Sequence, residues 1–346
     1  MPEGHTVHRL AAALSRGFGG ERVRISSPQG RFAEAAQVDG MVLLAAEAAG
    51  KHLFLALAPS ADVDPGSPMV RHIHVHLGLY GSWTFAGDPG FADAHAIGAP
   101  RVRLGEQEEE LGDDGVLDWR RLVPRPTVRL RLVGARGLAE LTGPTACEVL
   151  DGPGRQAVLD RLGPDPLRPD ANGSGGGDRR RFVEAVRRSR TAIGTQLMDQ
   201  KVVAGIGNIY RAELLFRARL DPFVPGRDLS AGMLDQMWTD LAALMAYGAR
   251  TGRIVTTQPE HRDLEARIVE RSRGTRQNGD EDPSVVPREK SFYVYHRQSL
   301  PCRLCGTTIR SRDLAARTVF WCPRCQSVRS RRAAWTREHP AAEWAL

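Results

Sequence analysis

The chain has 346 residues, enough for two domains with separate cores, and a formal net charge of +7. No apolar run approaches the roughly 20 residues of a membrane span, and Ala11-Ala12-Ala13-Leu14 is too short, before Arg16 and Gly17, to serve as a secretory signal. Five cysteines in a chain of this size do not make a disulfide scaffold and fit a reducing cytoplasm; the charge favours an acidic partner such as nucleic acid, against the plainer reading of a basic protein with no such partner.

The chain starts Met1-Pro2-Glu3. Removal of Met1 before a small second residue would leave Pro2 with a free secondary amine. A chain-terminal amine has a reference pKa of about 7.7–8.0, so part of it is unprotonated near neutrality and able to attack a sugar carbon as lysine amines attack carbonyls. Glu3 beside it can donate or accept a proton. Met-Pro starts are common, and alone this one carries no function.

Thr6 to Leu14 has helical apolar spacing, with Val7, Leu10, Ala11 and Leu14 on one face. Short alternating segments follow at Val23–Ile25, Met41–Leu44, His52–Leu57, His72–Leu77 and Thr127–Val133. One helix and then strands predict a β-sandwich or barrel in residues 1 to about 150. Gly105 to Arg125, acidic between Glu106 and Glu110 and again at Asp113-Asp114, reads as an exposed insertion. Cys147 reads as a small core residue. Pro169 to Asp178, with Asn172-Gly173-Ser174-Gly175-Gly176-Gly177, reads as a flexible linker.

Helical periodicity resumes with Phe182, Val183, Ala185 and Val186 facing inward. The stretch Leu197 to Tyr210 breaks an apolar run with Gly205 and Gly207 and starts a new helix near Asn208. Such a helix N-terminus can seat a phosphate, although a Gly-x-Gly turn is also an ordinary tight connection. Leu229 to Tyr247 is a helix whose stripe of Leu234, Met237, Trp238, Leu241, Leu244 and Met245 belongs to a core rather than a cofactor site. Glu270 to Lys290 is polar and reads as a mobile insertion.

Cys302, Cys305, Cys322 and Cys325 form C-x2-C-x16-C-x2-C, the spacing of a four-thiolate zinc ribbon. Four thiolates leave no open position, so one Zn²⁺ here would be structural. Arg303, Arg310, Arg312, Arg317, Arg324, Arg329, Arg331 and Arg332 surround the cysteines against a single acid, Asp313. A small basic ribbon presents guanidinium groups to phosphates, the alternative being a merely solvated face.

Taken together, Pro2-Glu3-Gly4, Gly50-Lys51 entering a strand, the Met198-to-Tyr210 motif, the Leu162-Gly163-Pro164-Asp165-Pro166-Leu167 run, and the ribbon with Arg317-Thr-Val-Phe-Trp-Cys322 resemble the formamidopyrimidine-DNA glycosylase and endonuclease VIII family. The resemblance covers nearly the whole chain outside the two insertions. It implies an α+β multidomain fold: an N-terminal two-layer β-sandwich over 1–150 with its insertion at about 105–125, a linker over 151–178, and a helix-two-turn-helix domain over 179–269. A flexible insertion over 270–290, a zinc ribbon over 291–332 and a tail over 333–346 follow.

The resemblance also implies a function: a cytoplasmic, monomeric, bifunctional DNA glycosylase and AP lyase of base-excision repair. Pro2 would form the Schiff base with the sugar of damaged DNA, and Glu3 would be the general acid. Lys51 would contact phosphate and assist catalysis. Arg317 at the ribbon's hairpin would act in the elimination, and Arg161 and Asn208 would grip the DNA backbone. The iminium would acidify the neighbouring C2′ proton, so that β,δ-elimination nicks the strand. The target base must be flipped out and the gap filled by an apolar wedge. Leu79 and Tyr80 are the candidates, the other reading being two strand residues of the core. Leu79-Tyr80-Gly81, and the lack of an Arg-Arg-Phe loop between Leu132 and Cys147, resemble the endonuclease VIII branch and oxidised pyrimidines rather than formamidopyrimidine or 8-oxoguanine. Three positions depart from the family pattern: Thr6 where a second glutamate is usual, Gly194 where the other branch has a lysine, and Gly78 where some relatives carry an amide.

Three other readings compete: a damaged-DNA-binding protein without catalysis, a ribosome- or transcription-associated zinc ribbon protein, and a metal-dependent nuclease. The nuclease would need clustered carboxylates, and Glu106 to Glu110 has no partner motif.

Overall fold

The computed structural model describes residues 2–89, 91, 96–98, 119–168, 176–262 and 286–327. Most of the 105–125 and 270–290 insertions, the Asn172–Gly175 part of the linker, the 333–346 tail and Arg329, Arg331 and Arg332 lie outside the described residues. The chain divides into two compact units, of which the first takes Met1–Pro2 and Thr6–Leu159 and the second Glu3–His5, Asp160–Arg267 and Val286–Leu346.

The first helix, α1 (Gly4–Phe18), runs beyond the predicted Thr6–Leu14 at both ends. Phe18, one turn past Leu14, is fully buried and packs edge-on against Phe91 at 5.1 Å, which outweighs the helix-weakening Gly17. Beyond α1 come β1 (Arg24–Ser26), α2 (Ala35–Val38), β2 (Val42–Ala49), β3 (His52–Ala58), β4 (Arg71–His76), β5 (Ser82–Gly87), β6 (Ala96–Gly98), β7 (Val128–Val133), β8 (Gly137–Thr142) and β9 (Ala146–Leu150). They form two antiparallel sheets, β2-β3-β4-β9 and β1-β7-β8-β5-β6. Leu53, Leu55, Leu57, Ile73 and Val75 of one sheet share a core with Trp83, Phe85, Leu130, Leu132 and Leu141 of the other and with α1. The unit is therefore a two-layer sandwich, and the period-2 pattern of β4 is its cause: Ile73 and Val75 turn into the core, while His72, His74 and His76 take the other face. Cys147 packs against this core, and burial pushes its thiol up to about 12.

Two expectations need correction. The end of the 105–125 insertion is not simply solvated: Trp119 is buried and donates from Nε1 to Asp88 at 2.7 Å, and Arg131 bonds the carbonyl of Leu122 at 2.7 Å. Residues assigned to the start of the 151–178 linker form a helix, α3 (Gly152–Leu159).

The second unit contains α4 (Gly176–Arg187), α5 (Ile193–Gln196), α6 (Asn208–Arg217), α7 (Ala231–Thr251) and the hairpin β10 (Arg310–Leu314) and β11 (Arg317–Trp321). Ser230 caps α7 by accepting from the Met233 N–H, and Gly252 ends it at φ +75°, so α7 starts later and runs further than Leu229–Tyr247. All six residues of the predicted α7 stripe are buried. They build one core with Phe182, Val186, Tyr210 and Leu214; Phe216, Tyr293, Ile309 and Phe320 build another around the cysteines.

Candidate active site and nucleic-acid interface

In the second unit, Glu3 is 2% exposed and its carboxylate sits on the N-terminus of α6. It accepts backbone N–H bonds from Gly207 at 2.7 Å, Ile209 at 2.8 Å and Tyr210 at 3.4 Å. These donors have no partner within the helix, and the positive end of the helix dipole favours the anion. The anion that the Gly205-x-Gly207 turn receives is thus a side chain of the protein itself. Gly207 is required sterically, since a Cβ there would lie 2.5 Å from Glu3 Cδ. Gly4 N–H also bonds the Gly205 carbonyl at 2.8 Å, fixing the segment that follows Pro2.

Asn208 and Arg317 meet through a residue that the sequence reading missed. Arg211 is fully buried on α6. Its guanidinium donates to the carbonyls of Leu314 at 3.0 Å and Arg317 at 3.2 Å and to the side chain of Asn208. Asn208 in turn donates to the Thr318 carbonyl at 3.0 Å. Burial, together with Arg317 and against the attraction of Glu3, lowers the Arg211 pKa to about 10, so it remains charged at neutral pH. The hairpin tip carrying Arg317, exposed at positions 315–317 with Ala315 and Ala316 at positive φ, is tied to the helix that seats Glu3. A buried arginine in an Asn-x-x-Arg helix start was the only signal available, and it resembles an ordinary surface residue.

Arg161 is exposed, on a segment anchored by Gly163 N–H to the Gln200 carbonyl and by Ala204 N–H to the Pro164 carbonyl, both within the Met198-to-Tyr210 motif region. At Gly194 a Cβ would lie 2.9 Å from both Leu314 Cδ2 and the Pro222 carbonyl oxygen, so no lysine fits this backbone.

The four cysteine thiols converge: their Sγ atoms all lie within 4.8 Å of one another, with Cys302–Cys325 at 3.9 Å and Cys305–Cys322 at 3.5 Å. A tetrahedron of Zn–S bonds about 2.3 Å long has edges of about 3.8 Å, so the cage fits a structural zinc ion. Among the described residues no other group of metal-ligating side chains converges this way. Glu213, fully buried on α6, ties the segment before the ribbon to that helix by accepting from the N–H groups of Tyr293, Val294 and Tyr295, each at 2.8 Å, and from Thr256. Arg310, Arg312, Arg317 and Arg324 are exposed, whereas Arg303 is spent on the Phe292 carbonyl at 3.0 Å.

In the first unit, Lys51 stands half-buried in the tight β2–β3 turn, next to Gly50 at φ +58°. Pro2 is buried. Leu79 and Tyr80 lie in the β4–β5 loop, 46% and 78% exposed, which rules out the core reading. Leu77 anchors the loop in the core and accepts from Gly81 N–H at 2.9 Å. Gly78 has φ +64°, and a Cβ there would lie 1.8 Å from Thr145 Oγ1; an amide side chain is therefore excluded.

Three family models match the chain: the formamidopyrimidine-DNA glycosylase N-terminal domain over residues 1–137, its H2TH domain over 162–260, and the zinc finger found in FPG and IleRS over 299–328. "Endonuclease 8 1" of Mycobacterium tuberculosis is 43% identical over 330 residues, covering 94% of this chain and 100% of that protein. A formamidopyrimidine-DNA glycosylase of Parasynechococcus marenigrum is 29% identical over 335 residues, with 94% and 99% covered. In fold, the chain is similar to the crystal structure of the MutM (Fpg) protein of Thermus thermophilus, with TM-score 0.62, 24% identity and coverage of 94% and 98%. It is similar also to Lactococcus lactis Fpg in complex with DNA containing an abasic site, with TM-score 0.62, 17% identity and coverage of 94% and 99%. The chain belongs to the formamidopyrimidine-DNA glycosylase and endonuclease VIII family, on its endonuclease VIII-like side.

Proposed function

We propose that this member of the family excises oxidised pyrimidines from DNA, with Pro2 as nucleophile and Glu3 as its proton-transfer partner. The activity is that of the family, a DNA glycosylase and AP lyase of base-excision repair. The seat of Glu3 on α6 carries the assignment of roles. A carboxylate held by three backbone N–H groups has a fixed position, and Glu3 directly follows Pro2 in the chain.

With Met1 removed, the Pro2 nitrogen lone pair attacks C1′. The glycosidic bond breaks and the base leaves with its electron pair and a proton. The sugar ring opens as O4′ takes a proton through Glu3, and the C1′–N bond becomes an iminium. The iminium draws electrons from C2′, whose proton is lost, and the 3′ phosphate leaves. A second elimination, assigned to Arg317, releases the 5′ phosphate. Lys51, Asn208 and Arg161 hold phosphates, and Leu79 with Tyr80 fills the space of the flipped nucleotide. This chemistry needs no catalytic metal; the zinc ion folds the ribbon. The preference for pyrimidines is supported by the Leu79-Tyr80-Gly81 loop and by the endonuclease VIII-like relationship. We place the protein in the cytoplasm as a monomer. Among the described residues no helix is long and apolar enough to cross a membrane.

Borohydride trapping on duplexes carrying an abasic site, an oxidised pyrimidine or 8-oxoguanine tests the reading. A cross-link mapped by mass spectrometry to Pro2, formed fastest with the pyrimidine lesion, is expected. Zinc-loaded protein that binds these duplexes but never cross-links would instead be a non-catalytic damage-binding protein.

A further inference from the structure

The turn that carries Arg317 is one that its own residues resist. β10 and β11 pair antiparallel from Arg310↔Trp321 to Leu314↔Arg317, which leaves Ala315 and Ala316 as a two-residue turn. Both have positive φ, +55° and +56°. Two positive φ values in such a turn mark type I′, whose twist matches that of the strands and whose usual residues are Asn-Gly. Alanine has the advantage of neither. Its Cβ crowds the carbonyl oxygen in the left-handed region, and its methyl cannot bond the backbone as an Asn side chain does. Both alanines are exposed, so no packing around them holds the turn.

What holds it is buried on α6. Arg211 Nη1 donates to the carbonyl of Leu314 at 3.0 Å, and Arg211 Nη2 donates to that of Arg317 at 3.2 Å. These are the two residues that flank the turn. One rigid guanidinium thus spans its mouth, with a separate nitrogen on each carbonyl. The same two nitrogens reach the Gly194 carbonyl on α5, at 3.4 Å, and the side chain of Asn208, which fix the guanidinium itself. Arg317 is exposed, and among the described residues its side chain bonds only the neighbouring Ala316 carbonyl, at 3.2 Å. Its direction is therefore set by the backbone of the turn.

We propose that Arg211 is a positioning residue for Arg317: it imposes the type I′ turn that the Ala315-Ala316 pair does not favour, and so aims the Arg317 guanidinium for the second elimination. In that step the C4′ proton is lost and the C5′–O bond breaks, its electron pair leaving with the 5′ phosphate. An unclamped turn would relax toward the unprimed types, which splay the strand ends and redirect Arg317. The inference rests on the assignment of the second elimination to Arg317.

The test is product analysis with full-length, zinc-loaded protein on a duplex carrying an abasic site. Gel electrophoresis separates the unsaturated-aldehyde end left by the first elimination from the phosphate end left by the second. Borohydride trapping at Pro2 reports the step before both. Arg211→Lys keeps the positive charge beside Asn208 but offers one ammonium to two carbonyls. Its ratio of second- to first-elimination ends should fall about tenfold, part of the loss that a missing transition-state donor brings, with trapping within about twofold of wild type. Adding Ala315→Asn and Ala316→Gly, which favour the type I′ turn by themselves, should restore the ratio. A role in packing alone would not be rescued from the exposed tip. If Arg211→Lys loses its zinc ion, the same turn replacement should return zinc content. An unaltered ratio in Arg211→Lys, equal losses of trapping and of second elimination, or a loss of ratio or zinc that the Asn-Gly turn leaves in place would overturn the proposal. Arg317→Ala on the same substrate separates the two claims. Undiminished second elimination in Arg317→Ala removes the assignment to Arg317, whereas a loss there beside a normal Arg211→Lys removes the clamp alone.

Discussion

The carboxylate of Glu3 accepts a 2.7 Å hydrogen bond from the backbone N–H of Gly207, 204 positions further along the chain. The bond exists because residue 207 has no side chain. Gly207→Ala would drive a methyl group into Glu3 Cδ at 2.5 Å and displace the carboxylate from the helix end. A shift of this size in a proton-transfer group lowers rates by about 100-fold. Single-turnover excision of an oxidised pyrimidine by Gly207→Ala should show that loss, with much weaker change in affinity for an abasic-analogue duplex. An unaltered rate would mean that Glu3's position does not matter to the chemistry.

Glu213→Ala should be among the most damaging single substitutions in the second unit. It strands the N–H groups of Tyr293, Val294 and Tyr295, all bonded to this one carboxylate. Each unsatisfied buried donor costs about 1–3 kcal/mol, so the expected loss is about 3 kcal/mol or more. Denaturant unfolding of zinc-loaded protein measures it.

Removing the zinc ion should unfold the ribbon and release the hairpin tip that carries Arg317. Because metal binding supplies the folding energy of such small modules, Cys305→Ser should lower both zinc content and DNA affinity. Zinc quantification and a binding titration on the same preparation check this. Full zinc content in the variant would remove Cys305 from the ligand set.

The sandwich should lose stability in mild acid. His72 and His76 are held below their usual value of 6.5 in the folded state, by burial first and by Arg155 and Lys51 respectively. The unfolded chain therefore binds more protons in that window. The contribution is complete above 6.5 and is lost as pH falls through the lower folded values. Urea unfolding of the wild type at about pH 7 and about pH 5, with His72→Phe for comparison, should show a smaller acid loss in the variant.

Replacing both Leu79 and Tyr80 by alanine removes exposed side chains, so stability should change by no more than about 0.5 kcal/mol. If they form the wedge, base extrusion should weaken while non-specific binding persists. Fluorescence of a base analogue placed beside the lesion reports this directly; undiminished extrusion by the double variant would free these residues from the role.

The parts of the fold legible in the sequence are those where one local period dictates the answer. The stripe of α7 and the alternation of β4 are of this kind, and so is the four-thiolate cage, where the spacing of cysteines is itself the signal. β8 escaped because it opens on Gly137 and carries Glu140, whose burial makes sense only opposite Arg131 on β7, at 2.7 Å. Arg211 and Glu213 escaped for the same reason on a larger scale. Charged residues on a helix read as solvent-facing, and here their partners are backbone groups about 80 to 106 residues away. Local pattern carries no information about such pairings. The Gly194 and Gly78 departures were visible as letters, but their cause, space occupied by Pro222, Leu314 and Thr145, was not.

The ten residues of α6 have no face to spare. Ile209 and Tyr210, with Gly207 just before the helix, receive Glu3, Arg211 reaches the hairpin tip, Glu213 holds the segment leading into the ribbon, and Arg217 makes a two-pronged pair with Asp240 on α7, both contacts at 2.6 Å. The helix therefore behaves as an inherited block. A chimera that borrows the ribbon of a relative must import residues 208–217 along with it, and insertion of one residue within the helix would rotate the side chains beyond it by about 100° relative to those before it. α6 and the hairpin that it bonds can therefore change only in concert.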